Sequence, residues 1–358
     1  MKLPIVVLPG DGIGPEVTAE AIKVLERVAE LFDHGLEMAT HPFGTEAISR
    51  LGTILPTETK EACLASRAVF LGAVGDPAYD HLPLPERPEA AILELRRCLG
   101  NFANLRPVLA QFHPPQSPFR QGVLEGVDLL IVRELMGGLY YGEPRGVGEE
   151  GGERRAWNHL TYRAGEIERV AQVAFDTARK RRRRVTSVDK ANVLETFRLW
   201  RQVVEEVARD HPDVELDHMY VDRAAMELVA NPRRFDVIVT GNLFGDILSD
   251  EASVLAGSLG LLPSASLGGS VGLYEPVHGS APDIAGQGVA NPIGAIASVA
   301  MMLRYSFELE DEARAVERAM GAAFKEGVLT ADLVGRERSR STSEVGDFVA
   351  SHIGARLR

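Results

Sequence analysis

The stretch Ile5-Val6-Val7-Leu8-Pro9-Gly10-Asp11-Gly12-Ile13-Gly14-Pro15-Glu16 passes from an apolar run through a glycine turn into a helical pattern. Ile5 to Leu8 reads as a buried strand. Beyond Pro15, well placed in a first helical turn, Val17, Ala21, Val24, Val28 and Leu31 recur at helical spacing. The same alternation continues along the chain. Val69 to Ala73, Leu129 to Val132, Val185 to Val188 and Asp236 to Val239 read as further buried strands, and helical patterns fill Ile167 to Arg179, Val193 to Ala208 and Ala224 to Val229. This predicts an α/β architecture, a layered sheet with helices on its faces. A turn between strand and helix also presents backbone N–H groups to anions or nucleotides. Its spacing is not the GxGxxG of dinucleotide folds, and Pro15 removes a donor. A structural tight turn and a ligand loop fit it equally.

The rest of the composition narrows the class. The chain has 358 residues, enough for two domains or one large one, with 45% hydrophobic and 25% charged residues. Acidic residues outnumber basic ones 51 to 39, a net charge of −12 that repels nucleic-acid backbones and anionic lipid. An anionic small substrate stays compatible where arginine and lysine gather locally. The six basic residues Arg179 to Arg184 read as a solvated helix end running into strand Val185, where cations complement the helix dipole. Arg336 to Ser343 reads as a surface loop, and the glycine-rich Gly142 to Gly152 as an arm or long hairpin. Two cysteines, Cys63 and Cys98, make neither a disulfide framework nor a cysteine zinc site, as suits a reducing cytosol. The apolar runs Ile5 to Leu8 and Gly294 to Leu303 are too short for a signal segment or a membrane span.

Chemistry concentrates in a few positions. Asp246 and Asp250 stand at i and i+4, on one face of a helix among the apolar Leu243, Phe244, Ile247 and Leu248. Like charges so spaced repel, and a hard divalent cation such as Mg²⁺ relieves them through carboxylate oxygens. An exposed acidic face is the plainer alternative. Asp222 offers a third carboxylate. Arg96 and Arg106 flank Asn101 to Asn104, and Arg133 ends a strand, positions from which arginines clamp carboxylates in bidentate fashion. Tyr140 and Lys190 add a proton donor and a base. These residues point to a cytosolic enzyme using a divalent metal on a small polycarboxylate, and leave the reaction open.

Three longer segments carry a resemblance. Arg133-Glu134-Leu135-Met136-Gly137-Gly138-Leu139-Tyr140-Tyr141-Gly142, Ser187 to Val193 with Asp189-Lys190-Ala191-Asn192, and Asn242 to Ala252 resemble the β-decarboxylating dehydrogenases, the isocitrate/isopropylmalate dehydrogenase family, and within it the isopropylmalate branch. Gly10 to Glu16 and Glu275 to Gly286, with Asn291-Pro292, are similar to that family's cofactor loops. The match runs from about Ile5 to Phe348.

The resemblance implies a two-domain layered α/β fold that is not a Rossmann fold. Its first domain spans residues 1–101 and 256–358 and its second 102–255, with the site in the cleft between them. It implies a homodimer with shared sites, the Gly142 to Gly152 arm crossing between subunits, and NAD-dependent oxidative decarboxylation of (2R,3S)-3-isopropylmalate to 4-methyl-2-oxopentanoate in leucine biosynthesis. Arg96, Arg106 and Arg133 would hold the substrate carboxylates. Asp246 and Asp250, with Asp222 of the partner, would hold Mg²⁺ or Mn²⁺, Asp222 also facing substrate. Lys190, also from the partner, would take the C2 hydroxyl proton, and Tyr140 would protonate the product enol. Glu89, Ile92, Leu93 and Val193 would surround the isopropyl group, Val193 sharing a helix face with Lys190. Ile13, Glu275, His278, Gly279, Ser280, Ala281, Asp283, Ile284 and Asn291 would bind NAD, Asp283 meeting the adenosine ribose. Met136 in place of a usual Thr, Tyr141 in place of Phe and Arg223 in place of a smaller residue bear on pocket shape. The D-malate, tartrate and homoisocitrate branches share this chemistry, and apolar Ile92 and Leu93 separate the chain from the isocitrate type. A non-catalytic RNA-binding role for Arg179 to Arg184 is set against the complete Tyr140, Lys190 and aspartate set.

Overall fold

The opening run forms the strand Lys2–Gly10, in which Ile5, Val6, Val7 and Leu8 are all buried. Consecutive buried residues on a strand require cover on both faces. On one face Val6 and Leu8 join Val69, Leu71 and Leu273 in a core closed by Cys63 of the helix Thr57–Ala65 and by Ala91, Leu95 and Leu99 of the helix Pro88–Leu99. On the other, the helices Gly14–Phe32 and Ile293–Ser306 lie against the sheet. The structure, a computed structural model, describes residues 1–110, 114, 117–120 and 122–354.

By internal contacts the chain divides into one unit of Met1–Asn101, Ala110–Pro118 and Ala256–Arg358 and a second of Phe102–Leu109 and Phe119–Leu255. Ala110–Pro118 therefore groups with the first unit and not with the rest of 102–255. Pro114 fits so closely over Gly257 that a Cβ there would meet its ring at 2.5 Å. Strands of the first unit run in the order Gly35–Thr40, Lys2–Gly10, Ala68–Ala73, Gly272–Pro276, Pro263–Leu267, parallel except for the last pair. Those of the second run Ala103–Leu109, Asp128–Glu134, Val237–Thr240, Arg184–Asp189, Glu215–Tyr220, parallel except for the first pair. The second core centres on Trp200, fully buried in the helix Glu195–Arg209. Its indole N–H donates to Ser187 Oγ at 3.2 Å and its ring meets Tyr162 edge-on.

Two local expectations change. The helix expected from Val193 starts at Glu195, because Leu194 is extended (φ −118°, ψ 120°) and Lys190 to Val193 form a turn. The surface loop Arg336 to Ser343 gives way at its end to the helix Thr342–His352, which Ser341 and Glu344 cap reciprocally. The basic run is a largely exposed helix end, as expected, and three of its arginines are also paired: Arg179 with Asp213, Arg181 with Asp128 and Asp236, and Arg184 with Glu215. Within Gly142 to Gly152 begins an exposed antiparallel hairpin, Gly146–Glu150 against Glu153–Trp157. No helix among the described residues is long and apolar enough to cross a membrane.

The glycine turn is set by backbone crowding. Gly10 and Gly12 have φ of +73° and +58°, and a Cβ would lie 1.8 Å from the Ala73 carbonyl oxygen or 2.0 Å from that of Ser280. Gly10→Ala should therefore destabilise the protein by about 1–3 kcal/mol, from the positive φ and the displaced carbonyl together. Urea unfolding of variant and wild type measures it, and an unchanged midpoint would refute the crowding.

Candidate active site

Arg133 lies next to last in the strand Asp128–Glu134 and is 2% exposed. Its Nε and Nη2 donate to Asn242 Oδ1 at 3.0 and 2.7 Å, and its Nη1 donates to Asp246 Oδ1. Both partners sit on the helix Asn242–Ala256, one turn apart. Gly245 lies between them, where a Cβ would meet the Arg133 stem at 2.7 Å. Arg106, from the strand Ala103–Leu109, donates to Asn104 Oδ1 at 2.8 Å and to Ser249 Oγ at 2.6 Å. Its Nη1 stands 3.4 Å from Asp246 Oδ1 and 3.7 Å from Asp250 Oδ1. Tyr140 Oη donates to Asp246 Oδ2 at 2.8 Å, and the Arg133 guanidinium lies 5.5 Å from the centre of the Tyr140 ring. The structure thus brings together Arg106, Arg133, Tyr140, Asp246 and Asp250.

The electrostatics suit a proton donor beside a cation site. Burial, then the bond to Asp246, pushes the Tyr140 phenol above its ordinary range, so it stays protonated. Burial also pushes the Asp250 carboxyl up, as does Asp246, while Arg106 pulls it down. Two carboxylates one turn apart, one of them destabilised as an anion, fit a hard divalent cation that takes its other ligands elsewhere. Within the single chain no group of three His, Cys, Asp or Glu side chains among the described residues is arranged to hold a metal.

Lys190 and Asp222 form a different pair. Lys190 follows the strand Arg184–Asp189 and its Nζ lies 2.5 Å from Asp222 Oδ1, in the first turn of the helix Val221–Ala230. That ion pair holds the exposed Asp222 carboxyl below its usual range. The preceding Asp189 is fully buried. Arg201 grips it with two bonds of 2.9 Å, and it accepts the Ala191 N–H at 3.0 Å, which fixes where Lys190 leaves the strand. Val193 lies in the turn after Lys190, 67% exposed, so the shared helix face is corrected to a shared turn.

The other expected residues belong to the first unit. Buried Arg96 pairs with Glu275 at 2.7 Å. On the same helix Glu89 is exposed and Leu93 half-buried, while Ile92 packs partly against the hydrophobic core. Ile92 thus supports the fold as well as any pocket. The two glycine-rich loops meet where the Ile13 N–H donates to the Ser280 carbonyl at 2.8 Å. Ala281 (φ +39°) opens a turn closed by Ile284, and exposed Asp283 lies within it. Gly279 has open space where a Cβ would stand. Asn291 donates to Asp332 at 3.0 Å and accepts the Ile293 N–H at 3.0 Å, so both ends of its amide are engaged within the protein. His278 is buried, its Nδ1–H donates to the Gly279 carbonyl, and its Nε2 has no partner among the described residues. An orphaned acceptor between such loops fits a bound cofactor.

Sequence reasoning missed Asn242, Ser249, Asn104 and Glu134, which hold the arginines and the Tyr140 turn. Asn242, Ser249 and Glu134 stood inside the motifs of the resemblance, and their type alone carried no signal of a role.

A family model for isocitrate/isopropylmalate dehydrogenase matches residues 4–349, and the chain belongs to that family of α/β dehydrogenases. Closer relatives share one name. The 3-isopropylmalate dehydrogenase of Nitratidesulfovibrio vulgaris is 54% identical over 359 residues, covering 99% of this chain and 100% of that one. That of Wolinella succinogenes is 51% identical over 356 residues, covering 98% of each. Among solved structures, the isocitrate dehydrogenase of Methylococcus capsulatus superposes with a TM-score of 0.87 at 36% identity, covering 98% of this chain and 99% of that one.

Burial lowers the basicity of His278 and also of His218, which is further lowered by Arg201. Both imidazoles should titrate below 6.5 in an NMR pH series. The unfolded chain then binds more protons just below that value, so their contribution to stability is complete above it and fades as pH falls. Titration at or above 6.5 would contradict the burial.

Proposed function

We propose that this protein catalyses the NAD-dependent oxidative decarboxylation of (2R,3S)-3-isopropylmalate to 4-methyl-2-oxopentanoate and CO₂, a step of leucine biosynthesis, in the cytoplasm. The observation that carries the chemistry is the Asp246 carboxylate held between two buried arginines and the Tyr140 phenol. The substrate is chosen by relatives: identity stands above 50% to the two named 3-isopropylmalate dehydrogenases and at 36% to the named isocitrate dehydrogenase.

Arg106 and Arg133, with Arg96, bind the malate carboxylates through charge-assisted hydrogen bonds. Lys190 accepts the C2 hydroxyl proton through water, and Tyr140, held protonated, supplies a proton to the product after CO₂ leaves. Asp246, Asp250 and Asp222 would hold Mg²⁺ or Mn²⁺, which would supply Lewis-acid polarisation at the C2 oxygen, and NAD⁺ would supply the hydride acceptor. The loops around Ile13, Glu275, His278, Gly279, Ser280, Ala281, Asp283, Ile284 and Asn291 hold NAD.

A homodimer supplies Lys190 and Asp222 from the partner chain. Supporting this, Met226 and Val229 on the helix Val221–Ala230, and Ile247 and Val254 on Asn242–Ala256, are exposed apolar side chains that a second copy would cover. Mixing inactive Tyr140→Phe chains with inactive Lys190→Ala chains should then restore activity in heterodimers, one site carrying both lesions and the other neither. Absence of recovery after verified subunit exchange would place both residues in one chain's site.

The direct test is NADH formation by purified protein with 3-isopropylmalate, D-malate and isocitrate. Burying three extra carbons at about 0.8 kcal/mol each favours 3-isopropylmalate over D-malate by about 60-fold in kcat/KM. Isocitrate should rank lower because its third carboxylate would face Ile92 and Leu93 unpaired, with Glu89 adding repulsion. NAD⁺ should exceed NADP⁺, whose 2′-phosphate would face Asp283. A preference for D-malate, isocitrate or NADP⁺ overturns the assignment.

EDTA should abolish activity and Mg²⁺ or Mn²⁺ restore it. Asp246→Asn should lose most activity, as should Asp250→Asn, which disturbs no short ion pair. Full turnover in excess chelator would exclude the metal.

A further inference from the structure

We propose that Glu134 is a positioning residue, whose carboxylate grips the turn carrying Tyr140 and so fixes where the phenol proton is delivered. The inference rests on the function proposed above, in which Tyr140 is the proton donor. Glu134 directly follows Arg133 and is fully buried. One carboxylate oxygen accepts the Met136 N–H at 2.8 Å and the other the Gly137 N–H at 2.8 Å. On the turn's other edge the Gly137 carbonyl accepts from Asn242 Nδ2 at 3.2 Å, and Asn242 Oδ1 is the acceptor for Arg133. The short helical turn Gly138–Tyr140 starts at the next residue, and Tyr140 reaches Asp246 from its end. The turn is seated against Tyr162, where a Cβ on Gly137 would meet the ring at 2.8 Å and one on Gly138 the hydroxyl at 2.5 Å. Glu134 is therefore the anionic half of a clamp whose other half, Asn242, also orients Arg133.

A carboxylate whose two oxygens each accept a backbone N–H loses half its grip on protonation, because its own O–H then points at a donor. Charged groups around it come from the helix Ala164–Arg179: Arg169 at 4.0 Å, which lowers its pKa, and Glu166, which raises it. The Tyr162 phenol lies just before that helix. On the neighbouring strand its partner is the non-ionisable Ala103. Burial, opposed by the two N–H bonds, pushes the carboxyl up to about 7. The grip is then complete above neutrality and loosens below it.

Glu134→Gln keeps the shape and one acceptor while turning an NH₂ toward the second N–H. At about pH 8 its kcat should fall by about tenfold to a hundredfold, with KM for 3-isopropylmalate little changed, and the acid limb of kcat near neutrality should disappear. Amide exchange of Met136 and Gly137, corrected for intrinsic rates, reads the grip without turnover. Wild-type protection should drop as pH is lowered from about 8 to about 6, and the variant should be poorly protected at both. If wild type turns over 3-isopropylmalate and the variant keeps its kcat and acid limb, the inference fails and the function stands. If wild type does not turn over this substrate, the function fails, and pH-independent protection would separately remove the grip. If the variant does not fold, the wild-type exchange series alone decides.

Discussion

A guanidinium cannot be buried unpaired, and the second unit is built around that constraint at Arg133. An uncompensated charge in the interior costs several kcal/mol. Asn242 and Asp246 answer it from one helix, four residues apart, and Gly245 between them lets the helix backbone come down onto the arginine stem. Any side chain at 245 would push Asp246 away from Arg133. Because Asp246 also accepts from Tyr140 and lies beside Arg106, the position of one buried cation sets the positions of Asp246 and of the Tyr140 hydroxyl, while Lys190 and Asp222 are placed separately through Asp189 and Arg201.

Charge balance explains why an acidic protein builds an arginine-lined site. Arg106 and Arg133 are matched by Asp246 and Asp250, leaving the cluster near neutral, while the net charge of −12 resides mainly elsewhere. A divalent cation and a substrate with two carboxylates add equal and opposite charge, so in the proposed reaction the cluster stays balanced when loaded. In the basic run Arg179 to Arg184 the same rule holds for three of the six cations, Arg179, Arg181 and Arg184, which pair with Asp213, with Asp128 and Asp236, and with Glu215. Those partners lie from 31 to 55 residues away in sequence, so the solvated run could be read from the string but its pairing could not.

Periodic features were the legible ones. Buried strands announce themselves as unbroken apolar runs, and Asp246 and Asp250 as a repulsive pair on an amphipathic helix. Arg133 could be singled out because it stands near a strand end, whereas Arg106 proves to lie mid-strand and Arg96 in a helix. Asn242, Ser249 and Glu134 were not legible in the same way, because a hydrogen-bonding role depends on partners brought close only by the fold. Val193 was misread for a local reason. Its N–H bonds to the Lys190 carbonyl, so three-residue spacing holds in a turn as it would in a helix, and only the extended Leu194 reveals the difference. Ile92 shows a second limit: the same half-buried leucine-rich helix face serves a core or a pocket, and spacing does not distinguish them.

The glycine turn carried two readings, and the structure separates their evidence. Gly10 and Gly12 are demanded by the Ala73 and Ser280 carbonyls, a requirement that holds with or without a ligand. Glycine content is therefore no argument for cofactor binding here. The argument comes from His278, whose lowered basicity keeps the ring neutral at physiological pH and leaves Nε2 a bare acceptor. A buried acceptor without a donor costs about 1–3 kcal/mol. That acceptor lies beside loops pressed together through Ile13 and Ser280, and no described residue donates to it, which fits the donor that the proposed cofactor would bring. On physical grounds the histidine that no described residue satisfies, more than the glycines that the fold explains, supports the proposed cofactor site in this unit.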